Sequence, residues 1–176
     1  GCRNLRDVEL PSSLITLGSR CFRDCSSLES LDIPASVTSL GESCFSYCGL
    51  DSIALPNSLE IIADYLFCGS KIKGIVIPDN VSSIGTCAFA DCRELKSVEM
   101  PDNVSSIGKG AFSNCSSLES ITIPRKCNTL NPETFYKCTS LREITIPSTV
   151  AKFAAASPGY DYQGTFENCS NLERII

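Results

Sequence analysis

The chain has 176 residues and a formal net charge of −5, and it contains twelve cysteines but no histidine or tryptophan. Because acidic residues outnumber basic ones, the composition does not favour binding to nucleic acid. No apolar run is long enough to span a membrane. The lack of histidine excludes the serine and cysteine triads that use it and zinc sites with imidazole ligands, so the organisation of the chain must indicate its function.

One unit of 22 or 23 residues recurs along the chain. It is marked by a proline, at Pro11, Pro34, Pro56, Pro78, Pro101, Pro124 and Pro147. A phenylalanine follows eleven residues later in six units, at Phe22, Phe45, Phe67, Phe89, Phe112 and Phe135. The stretch PDNVSSIG occurs twice without change, at 78–85 and 101–108. Such an array predicts a solenoid, because units of this kind bury a core only when they stack.

Each unit begins with L-x-x-I-x-I, in which apolar and polar residues alternate. This alternation predicts a strand with one buried face, and the proline ends it because proline lacks the N–H that a ladder must donate. The predicted outward residues in four of the strands are Asp32, Glu99, Thr122 and Thr145.

The second half of the unit contains V-x-x-I, then a glycine, then A-F-x-x-C. In V-x-x-I we expect two further inward residues, such as Val37 and Leu40. The glycine column, with Asn131 as a substitute, predicts a tight turn at positive φ; its members are Gly18, Gly41, Gly85 and Gly108. The spacing in A-F-x-x-C predicts a single helical turn, since its small residue and cysteine are four apart.

Seven cysteines share one column, at Cys2, Cys25, Cys48, Cys92, Cys115, Cys138 and Cys169. The parallel side chains, with Ser70 in the same column, favour reduced and buried thiols. Disulfides remain an alternative because stacked units lie within bonding range, whereas a metal site is weakly supported without a C-x-x-C pair. We expect Cys21, Cys44 and Cys127 in the core, and Cys68 and Cys87 to be the most exposed.

The pattern I-x-I-P-x-x-V-x-x-I-G-x-x-A-F-x-x-C, for example at 77–92 and 100–115, resembles the BspA-like leucine-rich repeats of surface and secreted proteins. The resemblance covers essentially the whole chain. It implies a right-handed solenoid with a parallel β-sheet on one side, and short strands and single helical turns on the other. The slot that holds asparagine or cysteine in more familiar leucine-rich repeats holds Val37, Leu59 or Val104 here, so no asparagine ladder is expected.

We expect one leucine-rich-repeat domain over residues 1–176, with seven to eight repeats and an insertion near 155–162. Because the chain begins at Gly1 and stops at Ile176 in mid-repeat, it is predicted to be part of a longer array. Uncapped ends would also permit self-association.

The predicted function is a non-enzymatic interaction or adhesion module of a cell-surface or secreted protein. The resemblance implies a protein partner, such as a host or extracellular-matrix protein, while the residues by themselves support an extended binding scaffold. An intracellular regulatory scaffold is the alternative. A glycan or peptide hydrolase is less favoured, because a catalytic carboxylate pair needs two different environments. No cofactor is expected.

Two surfaces are candidates for partner binding. The outward side of the sheet carries the candidate residues Asp32, Ser97, Glu99, Thr122, Glu143 and Thr145. The insertion carries Tyr160, Asp161 and Tyr162, which lie outside every repeat column. Aromatic side chains on a loop are frequent interface anchors, although a loop that only covers apolar core is an equal alternative.

Overall fold

The repeats stack in chain order as the turns of a parallel β-solenoid, which confirms the predicted fold class. The computed structural model describes residues 1–154 and 164–176. In this part of the chain there are short strands and no helix. The strands are β1 (Thr16–Leu17), β2 (Ser39–Leu40), β3 (Ile61–Ile62), β4 (Gly74–Val76), β5 (Ser83–Ile84), β6 (Ser97–Glu99), β7 (Ser106–Ile107), β8 (Ser120–Thr122), β9 (Thr129–Leu130), β10 (Glu143–Thr145), β11 (Lys152–Phe153) and β12 (Arg174–Ile175).

Two series of strands lie on different sides of the solenoid. The L-x-x-I-x-I segments form β4, β6, β8, β10 and β12, and the V-x-x-I segments form the other seven. Strands of one series pair in parallel and in register, so that Ile75 lies opposite Val98. Among the L-x-x-I-x-I segments the first strand is β4, but backbone hydrogen bonds already join the corresponding segments of the preceding repeats. Asp51 N–H donates to the Glu29 carbonyl (3.1 Å), and Lys73 N–H donates to that of Asp51 (3.0 Å).

The core is a set of apolar columns, one for each inward position of the repeat. Its centre is a continuous stack of seven phenylalanine rings: Phe22, Phe45, Phe67, Phe89, Phe112, Phe135 and Phe166. The ring centroids of Phe89 and Phe112 lie 5.3 Å apart with nearly parallel planes. Each such contact adds about 0.5–1.5 kcal/mol to the burial of the rings themselves. The stack therefore joins every repeat to the next.

The segment around each phenylalanine differs from the predicted helical turn, which is not confirmed. Cys44 N–H does donate to the carbonyl three residues earlier (3.2 Å), as in a turn. However, Ser43 N–H donates to Asp64 O (3.0 Å) and Phe45 N–H donates to Leu66 O (2.9 Å), both in the next repeat. Because alternate N–H groups bond to the neighbouring turn, they are not available for a helix. We call the surface formed by these segments the turn face.

The prediction that the glycine column has positive φ is wrong. Among the described glycines only Gly69 and Gly110 have positive φ, and neither belongs to that column. The reason for glycine there is close stacking: a Cβ on Gly85 would lie 2.6 Å from Asp64 N, and one on Gly108 would lie 2.5 Å from the Gly85 carbonyl carbon. No side chain fits at such distances without moving the backbone. Left-handed φ occurs instead two residues before and two after the phenylalanine, as at Ser43 and Tyr47.

A ladder of polar side chains runs beside the column that contains Val37 and Val104. That column is fully buried and apolar at Val37 and Val104, as predicted. The residue immediately before it, however, donates from its side chain to a carbonyl of the preceding repeat. Asn80 Nδ2 bonds to Asn57 O (2.7 Å), and Asn103 Nδ2 bonds to Asp79 O (2.8 Å). These bonds satisfy carbonyl groups at the bends that follow Pro56 and Pro78.

All twelve cysteines lie in the described residues and are free thiols. Cys44 and Cys127 are buried, as predicted, but Cys21 is exposed, so the prediction that it lies in the core is wrong. The prediction that Cys68 and Cys87 are the most exposed is also wrong. Cys68 is buried and Cys87 is half-buried, since both lie against tyrosine side chains of the turn face.

Candidate interaction surfaces

The outward side chains of the parallel sheet form two columns, which we call together the sheet face. The first column is Asp7, Ser30, Ser52, Gly74, Ser97, Ser120 and Glu143, and the second is Glu9, Asp32, Ala54, Val76, Glu99, Thr122 and Thr145. The register places Val76 opposite Glu99 and Thr145 opposite Thr122. The six sheet residues predicted from the sequence therefore share one surface, although Glu143 and Thr145 are half-buried.

A shallow depression lies in the middle of the sheet face. It has a volume of about 530 Å³ and is lined by Ala54, Gly74, Val76, Ser97 and Glu99, among others. The small side chains at Ala54 and Gly74 leave this space. Val76 is 60% exposed, which makes it the most exposed large apolar side chain of the described residues. An exposed aliphatic side chain beside an open depression is suited to contact with a partner.

The charges of the sheet face are acidic and partly unpaired. Glu143 forms an ion pair with Arg174 of the adjacent strand (3.2 Å). Asp32 and Glu99 form no ion pair within the described residues. Both are exposed, and the two repeats between them carry Ala54 and Val76 in the same column. The arrangement thus offers two separate negative charges with an apolar centre, and it does not bring them together as a catalytic pair.

The turn face carries two tyrosines that sequence analysis missed. Tyr47 is 47% exposed and Tyr65 is 39% exposed, and both border a depression of about 290 Å³ that Arg20 and Arg23 also line. The Tyr47 ring lies where any side chain on Gly69 would stand. Neither column holds another aromatic residue in any other repeat, so a tyrosine there was the available signal. Exposed tyrosines are common interface anchors, which makes this a second candidate surface.

The thiols of the cysteine column donate hydrogen bonds within the core. Cys92 Sγ donates to the Phe67 carbonyl (3.0 Å) and Cys115 Sγ to the Phe89 carbonyl (3.1 Å), so each thiol binds the preceding turn. Burial raises the pKa of the Cys92 thiol to about 12 and that of Cys115 well above its usual value. A thiol with such a pKa is protonated at neutral pH and is a poor nucleophile or metal ligand. Within residues 1–154 and 164–176, no group of three or more cysteine, aspartate or glutamate side chains is arranged to hold a metal ion.

The model of the BspA type leucine-rich repeat region matches the chain in six copies, over residues 1–75 and 60–176. The chain belongs to the BspA-type leucine-rich repeat family. The resemblance carried by the repeat motif is thereby confirmed.

Two solved structures are similar to this BspA-type chain over nearly all of its length. A leucine-rich repeat protein from Bacteroides ovatus ATCC 8483 is 30% identical with a TM-score of 0.80; the match covers 99% of this chain and 56% of that protein. The leucine-rich repeat protein of T. pallidum is 29% identical, also with a TM-score of 0.80, over 93% of this chain and 76% of its own. No curated protein matches significantly. The chain thus spans little more than half the length of the Bacteroides ovatus protein.

For this BspA-type chain the structure describes one of the two surfaces predicted from the sequence. The sheet-face candidates are brought together, whereas Tyr160, Asp161 and Tyr162 lie outside the described residues. The described part of the chain has no helix with the length and apolar character needed to cross a bilayer.

Proposed function

We propose that this BspA-type repeat segment is a non-enzymatic protein-binding module and that the sheet face is its binding surface. The observation that supports the proposal most directly is the exposure of Val76 at the edge of an open depression. The rigid stack of repeats holds this face in one shape, so little conformational entropy is lost when a partner binds. Catalysis is not supported, because the exposed carboxylates Asp32 and Glu99 lie in similar, solvated environments.

The module is further proposed to belong to a cell-surface or secreted protein that adheres to a protein partner, such as a host or extracellular-matrix protein. This location is supported by the repeat motif, which resembles the BspA-like repeats of surface and secreted proteins. The core thiols are compatible with it, since burial raises the pKa of Cys44, Cys48 and Cys92 to about 12 and slows their oxidation. An intracellular regulatory scaffold is the alternative. Antibody labelling of intact cells separates the two, because only a surface protein is labelled without permeabilisation.

The choice of binding surface is tested by two matched substitutions. Val76→Arg changes the exposed aliphatic side chain of the sheet face. Ile61→Arg changes an aliphatic side chain of similar exposure (53%) in β3, which belongs to the strands formed by the V-x-x-I segments. Binding of immobilised protein to a panel of purified extracellular-matrix proteins is then measured for both variants and the wild type. We expect at least a tenfold loss of affinity for Val76→Arg alone. Equal binding by the wild type and Val76→Arg would place recognition elsewhere, with the Tyr47 and Tyr65 surface next to be tested.

A further inference from the structure

The second column of the sheet face has an ordered pattern of charge along the solenoid. In chain order it reads Glu9, Asp32, Ala54, Val76, Glu99, and then two threonines. Neither outward column holds a lysine or arginine between Ser30 and Thr145. The neighbouring column, which borders the face, is balanced, with three acidic and three basic residues: Glu29, Asp51, Lys73, Lys96, Glu119 and Arg142. The charged residues of the two outward columns are therefore acidic between Ser30 and Thr145, while the bordering column adds no net charge.

The two carboxylates that flank the depression, Asp32 and Glu99, are available to an incoming cation. Two other acidic groups on or beside the face have partners: Asp51 lies 2.7 Å from Lys73 Nζ, and Glu143 lies 3.2 Å from Arg174. Glu29 and Glu119 of the bordering column form no ion pair within the described residues. Asp32 and Glu99 have no such partner among the described residues. Glu99 also lines the apolar depression, so a cation bound to it would lie at the rim of that depression.

The spacing of these features matches an extended peptide that lies along the solenoid axis. Asp32 and Glu99 are three repeats apart, which is about 14 Å at the usual spacing of paired strands. In an extended chain, residues i and i+4 are about 13 Å apart and residue i+2 points to the same side. A side chain at i+2 would thus lie between Ala54 and Val76, where Ala54 and Gly74 leave room.

We propose that the sheet face binds an extended basic peptide segment with lysine or arginine at i and i+4 and an aliphatic residue at i+2. The two cations pair with Asp32 and Glu99, and the aliphatic side chain fills the depression against Val76. This inference rests on the proposed function, and it specifies the chemistry of the partner. The sheet hydrogen bonds are already used between repeats, so side chains carry the recognition. Binding is accordingly weak for one site and depends on ionic strength.

Synthetic peptides test the pattern directly. The probe is a blocked peptide with arginine at i and i+4, leucine at i+2 and threonine or serine elsewhere; its isomer has the two arginines side by side. Binding is followed by amide shifts in two-dimensional NMR of the protein. We expect saturable shifts at Ala54, Gly74 and Val76 with the probe, weaker binding of the isomer, and loss of binding as salt is raised. Equal binding of the two peptides, or the absence of saturable shifts at millimolar probe, overturns the proposal.

Isosteric substitutions test the role of the two carboxylates. Asp32→Asn and Glu99→Gln should each weaken probe binding about threefold, as expected for an exposed ion pair. Glu60→Gln is the matched control, because Glu60 is exposed, unpaired within the described residues and beside β3 on the second series of strands. An effect of Glu60→Gln equal to the other two would mean non-specific attraction and would overturn the proposal.

The outcomes separate this inference from the proposed function. If no basic peptide binds but Val76→Arg still abolishes binding to a protein partner, the sheet face is a binding surface and only the peptide chemistry is wrong. If Val76→Arg and Ile61→Arg bind the partner equally, the proposed function of this face fails as well. If shifts at Val76 appear on concentrating the protein without peptide, a second copy of the chain occupies the face, which also overturns the peptide proposal.

Discussion

The buried thiols should make this solenoid unstable in mild alkali. Burial raises the pKa of Cys92 from an ordinary value of 9.0 to about 12. Between these two values an unfolded chain loses the proton and the folded chain keeps it. The unfolded state then binds fewer protons, so the free energy of unfolding falls as pH rises above 9. The stabilisation is complete below the unfolded pKa and is lost progressively toward the folded pKa.

The size of the effect follows from these values. At pH 10, ionisation of a thiol with pKa 9.0 stabilises the unfolded state by about 1.4 kcal/mol. Cys44 and Cys48 are raised to about 12 as well, so the three thiols together remove about 4 kcal/mol. That is a large part of the stability of an ordinary domain.

Two substitutions in the cysteine column isolate the contribution of one thiol. Cys92→Ser removes it, and Ser70→Cys adds one at the position where the column already tolerates serine. Urea unfolding is followed by circular dichroism at pH 7 and pH 10 in anaerobic, reducing buffer. Between these pH values Cys92→Ser should lose about 1.4 kcal/mol less than the wild type, and Ser70→Cys about 1.4 kcal/mol more. Equal losses for all three proteins would refute the assignment to buried thiols.

Three further predictions concern the core and its stacking. Phe112→Ala, which removes the ring between two stacked neighbours at 5.3 and 5.7 Å, should lower the free energy of urea unfolding by about 3–5 kcal/mol. A loss below about 1 kcal/mol would contradict a central role of the ring stack. Gly85→Ala should destabilise by about 1–3 kcal/mol because its Cβ meets backbone, whereas Gly18→Ala, whose Cβ meets no atom closer than 3.9 Å, should be nearly neutral in thermal melts. Native protein should react with an alkylating reagent chiefly at the exposed Cys2 and Cys21, which mass spectrometry of digested peptides measures. Disulfide-linked peptides from the buried cysteines would instead support the disulfide alternative.

Much of the fold was predictable because one repeat determines the others. In one repeat, the alternation in L-x-x-I-x-I shows which residues point inward and which point outward. Because the unit recurs every 22 or 23 residues, the same positions point inward or outward in every other repeat. Thus Asp32 and Glu99 were correctly predicted to be exposed, although they lie three repeats apart. The prolines and the phenylalanine column were equally informative, since each has one role in every repeat.

What the sequence does not reveal is geometry that arises between repeats. The left-handed position before the phenylalanine holds Ser43, Tyr65, Cys87 and Glu133, residue types with no shared preference for positive φ. Hydrogen bonds to the next turn impose that conformation, and they exist only in the stack. The same reason explains the glycine column, where the constraint is the approach of a neighbouring backbone at Gly85 and Gly108. The burial of Cys68 likewise depends on Tyr47, which lies beside it in the preceding repeat.

The ring stack has a consequence for how such proteins can change. Phe135 and Phe166 remain 5.7 Å apart although they are separated by more residues than any other neighbouring pair. On either side of that added length the ladder is intact, with Ala154 N–H donating to Leu130 O (2.8 Å) and Phe135 N–H donating to Thr165 O (2.9 Å). At this junction a longer connection is thus compatible with an unbroken ring stack. We therefore expect this junction to accept other inserted segments while the flanking repeats keep their geometry.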